Sequence, residues 1–171
     1  MAILHGWRFC PVCGGGLRGG EARRECEACG YVAYANPAPT ASALVVDDDG
    51  RLLLARRATE VEHGKWDLPG GFVEEGEDPL DALRRELHEE TGLTVEPVRL
   101  FGIWMDWYGS GDDKRSTLNL YWLARRIGGE LEAADDVSEL GWFRRDKLPP
   151  REEIAFTNVP KVLAAWRDEH P

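Results

Sequence analysis

Residues 71–93, GFVEEGEDPLDALRRELHEETGL, constrain the fold more tightly than any other stretch, because both ends of a helix are written into them. Asp78 before Pro79 reads as an N-cap followed by a proline at the first helical position, where the missing N–H is not needed. Gly92 supplies the left-handed stop that commonly ends a helix. Between them Leu80, Leu83 and Leu87 recur at helical spacing and give one apolar face for a core.

On this helix Glu86, Glu89 and Glu90 stand at i, i+3 and i+4, beside the leucine stripe rather than opposite it. Ala82, one turn earlier, leaves space in the same acidic arc. Glutamate runs on helices are common for propensity reasons and are usually solvated faces. The preceding loop, KWDLPGGFVEEGE, favours another reading: its paired glycines let backbone approach a ligand closely, and Gly70 or Gly71 can present a carbonyl to a cation. Hard divalent cations such as Mg2+ take oxygen ligands, from one or two carboxylates together with substrate phosphates.

The segment also fits the gapped pattern G-x5-E-x7-R-E-U-x-E-E-x-G-U, U being aliphatic, with Gly71, Glu77, Arg85, Glu86, Leu87, Glu89, Glu90, Gly92 and Leu93 in the fixed places. It thereby resembles the signature box of the Nudix hydrolase superfamily. The resemblance implies a loop–helix–loop that binds Mg2+ or Mn2+ and cleaves a phosphoanhydride in a nucleoside diphosphate linked to another group. It implies that Glu86, Glu89 and Glu90 hold the metal with the Gly70 carbonyl, and that Arg85 and Glu77 form an ion pair which, with Gly71, orients the box. The proton of the attacking water would go to a box glutamate or to an acid outside it, Asp136 or Glu139.

All four cysteines lie ahead of the box, as Cys10-Pro-Val-Cys13 and Cys26-Glu-Ala-Cys29 with twelve residues between the pairs. Two such knuckles read as a closed, tetrahedral, structural Zn2+ site. Two disulfides are the competing reading, but MAILHGWRF has neither the cationic start nor the apolar run of a secretory signal, so a reduced, cytoplasmic setting is expected. The run from Gly14 to Gly19 also satisfies GxGxxG; inside a cysteine-bounded hairpin it serves turns rather than dinucleotide binding.

With 171 residues the chain can hold one full-size core and a minor module, here a zinc ribbon at 1–35 and a Nudix domain at 36–171. Strands are expected at 40–46 and 52–56 about the turn at Asp47 to Gly50, then at 98–108, 117–127 and 140–144, with a last helix at 159–168. The fold class is α/β: the Nudix resemblance implies an α/β/α sandwich with a mixed sheet. A net charge of 21 − 31 = −10 argues against general nucleic-acid or anionic-membrane affinity. No segment has the length and apolarity of a membrane span. Local cations must then draw in a phosphorylated substrate, and Arg56, Arg57 and Arg115 are the candidates.

Substrate identity is expected outside the box. A ribbon ahead of a Nudix domain, with the connector Tyr34-Ala35-Asn36-Pro37, resembles NADH pyrophosphatases, whereas their SQPWPFPxS stretch is replaced here by FGIWMDWYGSGDD. Ribbon-bearing members assigned as ADP-ribose pyrophosphatases are similar as well, and ADP-ribose is the first expectation. NAD(H) and dinucleoside polyphosphates stand behind it, followed by a non-catalytic nucleotide sensor whose ribbon contacts nucleic acid or protein. Trp104, Trp107 and Tyr108 are candidates for stacking on a base, against the plainer reading that strand aromatics belong to the core. Trp66 reads as a packing anchor, and His88 lies on the solvent side of the box helix. The expected partner is a small nucleotide, with no membrane and with a homodimer left open.

Overall fold

The computed structural model describes residues 4–111 and 114–169; Asp112 and Asp113, in the expected loop at 109–115, lie outside the described residues. The first elements are β1 (Leu17–Gly19), β2 (Arg23–Cys26) and β3 (Val32–Tyr34), a small antiparallel sheet in that order. The larger part contains β4 (Ala38–Val45), β5 (Leu52–Arg57), β6 (Trp66–Asp67), β7 (Gly70–Phe72), α1 (Pro79–Thr91), β8 (Leu93–Tyr108), β9 (Arg115–Gly129), β10 (Val137–Phe143) and α2 (Val159–Glu169). Its strands form two sheets, β7-β4-β9-β8 and β10-β5-β6. The first is mixed: β4 runs parallel to β9, while β7 and β8 are antiparallel to their neighbours.

Strand alternation distributes the core to two sides. Ala43, Val45, Leu53 and Trp122 pack with Leu83 and Leu87 of α1, whereas Leu44, Leu52, Leu54 and Tyr121 pack with Val162, Leu163 and Trp166 of α2. Adjacent residues such as Leu53 and Leu54, or Tyr121 and Trp122, thus belong to opposite cores, which makes the expected α/β/α sandwich. The box helix starts and stops as read. The Leu80 N–H donates to the Asp78 side chain at 2.8 Å, and Gly92 takes φ 69° with its N–H on the His88 carbonyl.

Two differences from the sequence reading have local causes. The strand expected at 98–108 begins already at Leu93, because three register shifts and Pro97 conceal the alternation; β8 is an edge strand, where a proline is tolerated. The stretch read as a polar turn before the box holds β6 and β7, of two and three residues, too short to leave a periodicity. No described helix is long and apolar enough to cross a membrane.

Candidate active site

The paired glycines build the junction between sheet and box helix. Gly70 has φ 136°, and a Cβ there would fall 2.3 Å from the Ala41 carbonyl oxygen, so only glycine lets β7 lie this close to β4. Its N–H donates to Glu90 Oε2 at 2.8 Å. A Cβ on Gly71 would lie 2.5 Å from the Glu86 carboxylate. Gly70 therefore clears the β4 backbone while binding Glu90 through its N–H, and Gly71 makes room for the Glu86 carboxylate.

The three glutamates differ in setting. Glu90 is buried, and burial raises its pKa well above the ordinary carboxylate value against the opposing Gly70 N–H, with the charges of Asp136 and Glu86 adding to the rise. Glu86 is half-buried and is also raised by burial, with Arg85 opposing. Glu89 is exposed. Arg85 ties this group together: it forks onto Glu77 through Nε and Nη2 at 2.8 and 2.9 Å, and its Nη1 reaches Glu86 at 2.8 Å and Glu89 at 3.1 Å. Nη2 also donates to the Phe72 carbonyl at 3.2 Å, joining helix to β7. The pairing with Glu77, a hydrogen bond before all else, lowers that carboxyl to about 2.

Glu86 and Glu90 line a cavity of about 300 Å³ together with Gly70, Asp136 and Arg57. Of the two acids considered outside the box, Asp136 stands on this wall and Glu139 does not. A register shift between Val137 and Glu139 sets Glu139 opposite Arg56, with which it pairs at 3.0 Å. Arg56 in turn lies over the Trp66 ring at 4.6 Å and is absent from the cavity wall. The neighbouring Arg57 faces the cavity because successive strand residues point to opposite faces. It is held by Asp67 at 3.1 Å, the Val61 carbonyl at 2.9 Å and Thr59 Oγ1 at 2.9 Å. Burial raises Asp67 to about 6 despite that partner.

The aromatic candidates separate in the same way. Trp104 is stacked on Phe101 and edge-on to Tyr121, packed with the α2 core instead of lining the cavity. Trp107 and Tyr108 do line it. Tyr108 faces Phe156, ring centroids 5.9 Å apart, and Arg57 lies 5.0 Å from the Phe156 ring. Phe156 takes φ 56° without being glycine, a local strain of the kind that collects at functional sites.

Sequence reasoning missed Asp67, Asp106, Phe156 and Asn158. Asp106 accepts from the backbone N–H groups of Trp107 (2.8 Å), Thr157 (2.8 Å) and Asn158 (2.7 Å), and from Thr157 Oγ1 at 2.9 Å. Burial alone would raise its pKa, yet these backbone donors hold it below the ordinary value. A β8 carboxylate thereby caps the chain entering α2 and fixes Asn158 at the cavity wall. Asn158 donates to the Tyr121 hydroxyl at 2.9 Å, while its Oδ1 is buried without a partner. Phe-Thr-Asn ahead of an apolar helix is a legible start signal; its partner fifty-odd residues earlier is not.

The cysteine cluster is assembled separately. Cys10 Sγ lies 3.7 Å from Cys29 Sγ, Cys13 Sγ lies 3.5 Å from Cys26 Sγ, and all four sulfurs are within 4.8 Å of one another. None is in a disulfide. Zn–S bonds of about 2.3 Å in a tetrahedron place sulfurs roughly 3.8 Å apart, so the set fits a zinc ion. The Cys29 N–H lowers the Cys26 thiol to about 7, while, against the Tyr31 N–H, hydrogen bonds shared with the Cys13 and Cys26 sulfurs push the Cys29 thiol up to about 12. Among the described residues this is the one group of three or more candidate ligands gathered so tightly; the box glutamates, two of them held by Arg85, are more widely spread.

A mixed sheet between two helices, with a glycine-lined acidic cleft at the start of one of them, defines a class of hydrolase that family comparison makes specific. The NUDIX domain model matches residues 36–165, and the chain belongs to this family. An ADP-ribose pyrophosphatase of Methanocaldococcus jannaschii is 34% identical over 140 residues, covering 81% of this chain and 79% of that protein. The NAD-capped RNA hydrolase NudC of Stutzerimonas stutzeri is 32% identical over 163 residues, 92% of this chain but 56% of its own length. Among solved structures, a NUDIX hydrolase from Nitrosomonas europaea superposes with TM-score 0.78 at 27% identity, covering 95% of this chain and 92% of that one.

Proposed function

We propose that the chain hydrolyses the phosphoanhydride of a nucleoside diphosphate derivative, with ADP-ribose as substrate, in the cavity between β7, α1 and the segment before α2. The observation that carries this reading is the meeting of Glu86, Glu90, Asp136, Arg57 and the Gly70 backbone on one wall. Glu86, Glu89 and Glu90 would hold Mg2+ or Mn2+ with the Gly70 carbonyl. Bound there, the ion would neutralise charge developing on phosphorus and lower the pKa of the attacking water. Arg85 and Glu77 would position the box: the guanidinium ties Glu86, which lines the cleft, to Glu89, which is exposed beside it, and fastens α1 to β7.

Arg57, preorganised by three acceptors, supplies positive charge for the diphosphate in an otherwise acidic cleft. Asp136, on the same wall, would be the outside acid that takes the proton of the attacking water, with a box glutamate as the alternative. Tyr108 and Phe156 offer aromatic faces, and the unpartnered Asn158 Oδ1 accepts an N–H or O–H from the substrate. The M. jannaschii relative supports ADP-ribose as first choice, and the NudC relatives support an NAD-linked substrate as the second. The four cysteines would hold one structural Zn2+, in keeping with a reduced cytoplasmic setting.

The test is product analysis on ADP-ribose, NADH, FAD and diadenosine polyphosphates with Mg2+ or Mn2+. AMP and ribose 5-phosphate from ADP-ribose are the expected products. No turnover of any of these compounds would overturn the reading.

A further inference from the structure

Away from the cleft, a second cavity of about 290 Å³ lies between the residues that precede α2 and one side of that helix. Three arginines line it from separate elements, Arg145 and Arg151 from short 3-10 turns and Arg167 from α2. Asp146 is the acidic residue on its wall, and that carboxylate is already taken by Arg144 at 3.2 Å. Among the described residues no carboxylate lies within 4.0 Å of Arg145, Arg151 or Arg167. In a chain of net charge −10, three arginines around one cavity with no described carboxylate paired to any of them are a local reversal of the overall charge.

We propose that this cavity is a second anion site and that it takes a phosphomonoester carried on a small apolar body. Two of the three cationic heads are preorganised. The Arg145 Cζ lies over the Trp166 ring, 4.6 Å from its centroid, and Arg151 donates to the carbonyls of Ile154 at 3.1 Å and Phe156 at 2.9 Å. Each guanidinium has five N–H donors, so both retain donors for a ligand. A phosphomonoester has about −1.5 to −2 charge and three terminal oxygens, matching three guanidiniums better than a single carboxylate does. Leu148, Ile154 and Leu163 give the cavity an apolar lining for the body of the molecule. The two cavities share one segment of chain: Ile154 lines this one, and Phe156, held by Arg151, lines the cleft.

The experiment titrates inorganic phosphate, then phenyl phosphate, into zinc-loaded protein without Mg2+ or Mn2+. The Arg145 and Arg167 Nε–Hε resonances are followed by NMR, assigned through R145Q and R167Q, with sodium chloride at matched ionic strength as control. Saturable shifts at both resonances, tighter for phenyl phosphate, are expected. R167Q, at an exposed position, should weaken binding several-fold, and R145Q/R167Q at least tenfold, with hydrolysis at saturating substrate unchanged. Shifts that never saturate and that chloride reproduces would reduce the site to charge screening and overturn the proposal. Saturation undiminished in R167Q and in the double variant would place the anion elsewhere, and equal affinity for the two probes would overturn the role of the apolar lining. None of these outcomes depends on which nucleotide the cleft hydrolyses.

Discussion

The four cysteines and the box carboxylates are both candidate metal sites, and they are assembled by opposite routes. The cysteines come from two tight turns joined by a short hairpin, and their sulfurs converge to within 4.8 Å through local chain geometry. The carboxylates come from one helix turn, and their setting combines a neighbour on the same helix, Arg85, with groups from other elements. Gly70 of β7 binds Glu90, Arg85 with Glu77 holds Glu86 and Glu89, and Asp136 arrives from the approach to β10. Cysteine sulfurs can share hydrogen bonds with one another as they gather, whereas carboxylates at i, i+3 and i+4 repel and need cations or buried donors to hold them. A structural site can therefore be closed and local; a hydrolytic site has to stay open and distributed.

The largest effect is expected at the cysteines. C13S/C26S should lose stoichiometric zinc, an interaction of about 10 kcal/mol or more for sites of this kind, measurable by metal analysis. If the two sites are as independent as their construction implies, turnover in the cleft stays within about tenfold of wild type, the cost of losing an outlying support; complete loss of turnover in a folded variant would break the comparison. Conversely, E89Q and E90Q should each lower kcat by roughly 10²–10³-fold, as for removal of a preorganised electrostatic group, with zinc content unchanged. Steady-state kinetics beside metal analysis separates the two outcomes.

Asp106 tests how far the cleft depends on remote packing. D106A would leave the Thr157 and Asn158 N–H groups without their acceptor at the start of α2. Urea unfolding should show a loss of about 1–3 kcal/mol, the cost of stranding buried donors. KM should rise with it, since Asn158 and Phe156 line the cleft. Unchanged stability would show that α2 starts without help from β8.

The smallest effect is a pH dependence. Arg85 holds Glu77 at about 2 in the folded chain, below the roughly 4.3 of an unfolded glutamate. Because the folded pKa is depressed, the stabilisation is fully present above about 4.3 and is lost as pH falls toward 2. E77Q should flatten this part of the stability profile relative to wild type between pH 2 and 5. A difference profile independent of pH would show that the fork onto Arg85 does not orient the box through charge.

Some of the site was legible because its signals are local. Asp78-Pro79, the leucine spacing and Gly92 fix the helix within a few residues, and the cysteine spacing fixes the knuckles, since both depend on near-neighbour geometry. Arg56 and Glu139 were plausible cleft residues by composition, but one step along β5 and a shift in the β5–β10 register turn them to each other, leaving Arg57 and Asp136 on the cavity wall. Trp104 was a candidate for a base, and β8 packs it edge-on against Tyr121, half-buried beside the α2 core. Face and register in a sheet are set by pairing partners far away in sequence, and a single-residue change of register exchanges inside for outside.

The sequence by itself determined the box helix, the grouping of the cysteines, the α/β class and the family, all of which rest on short-range spacing. Tertiary structure alone decided which cation and which outside acid face the cleft, and that Asp106 would cap α2 from β8 and bring Asn158 and Phe156 to the cavity. Those choices follow from strand register and from burial of charge among residues distant in the chain, which local propensity does not encode.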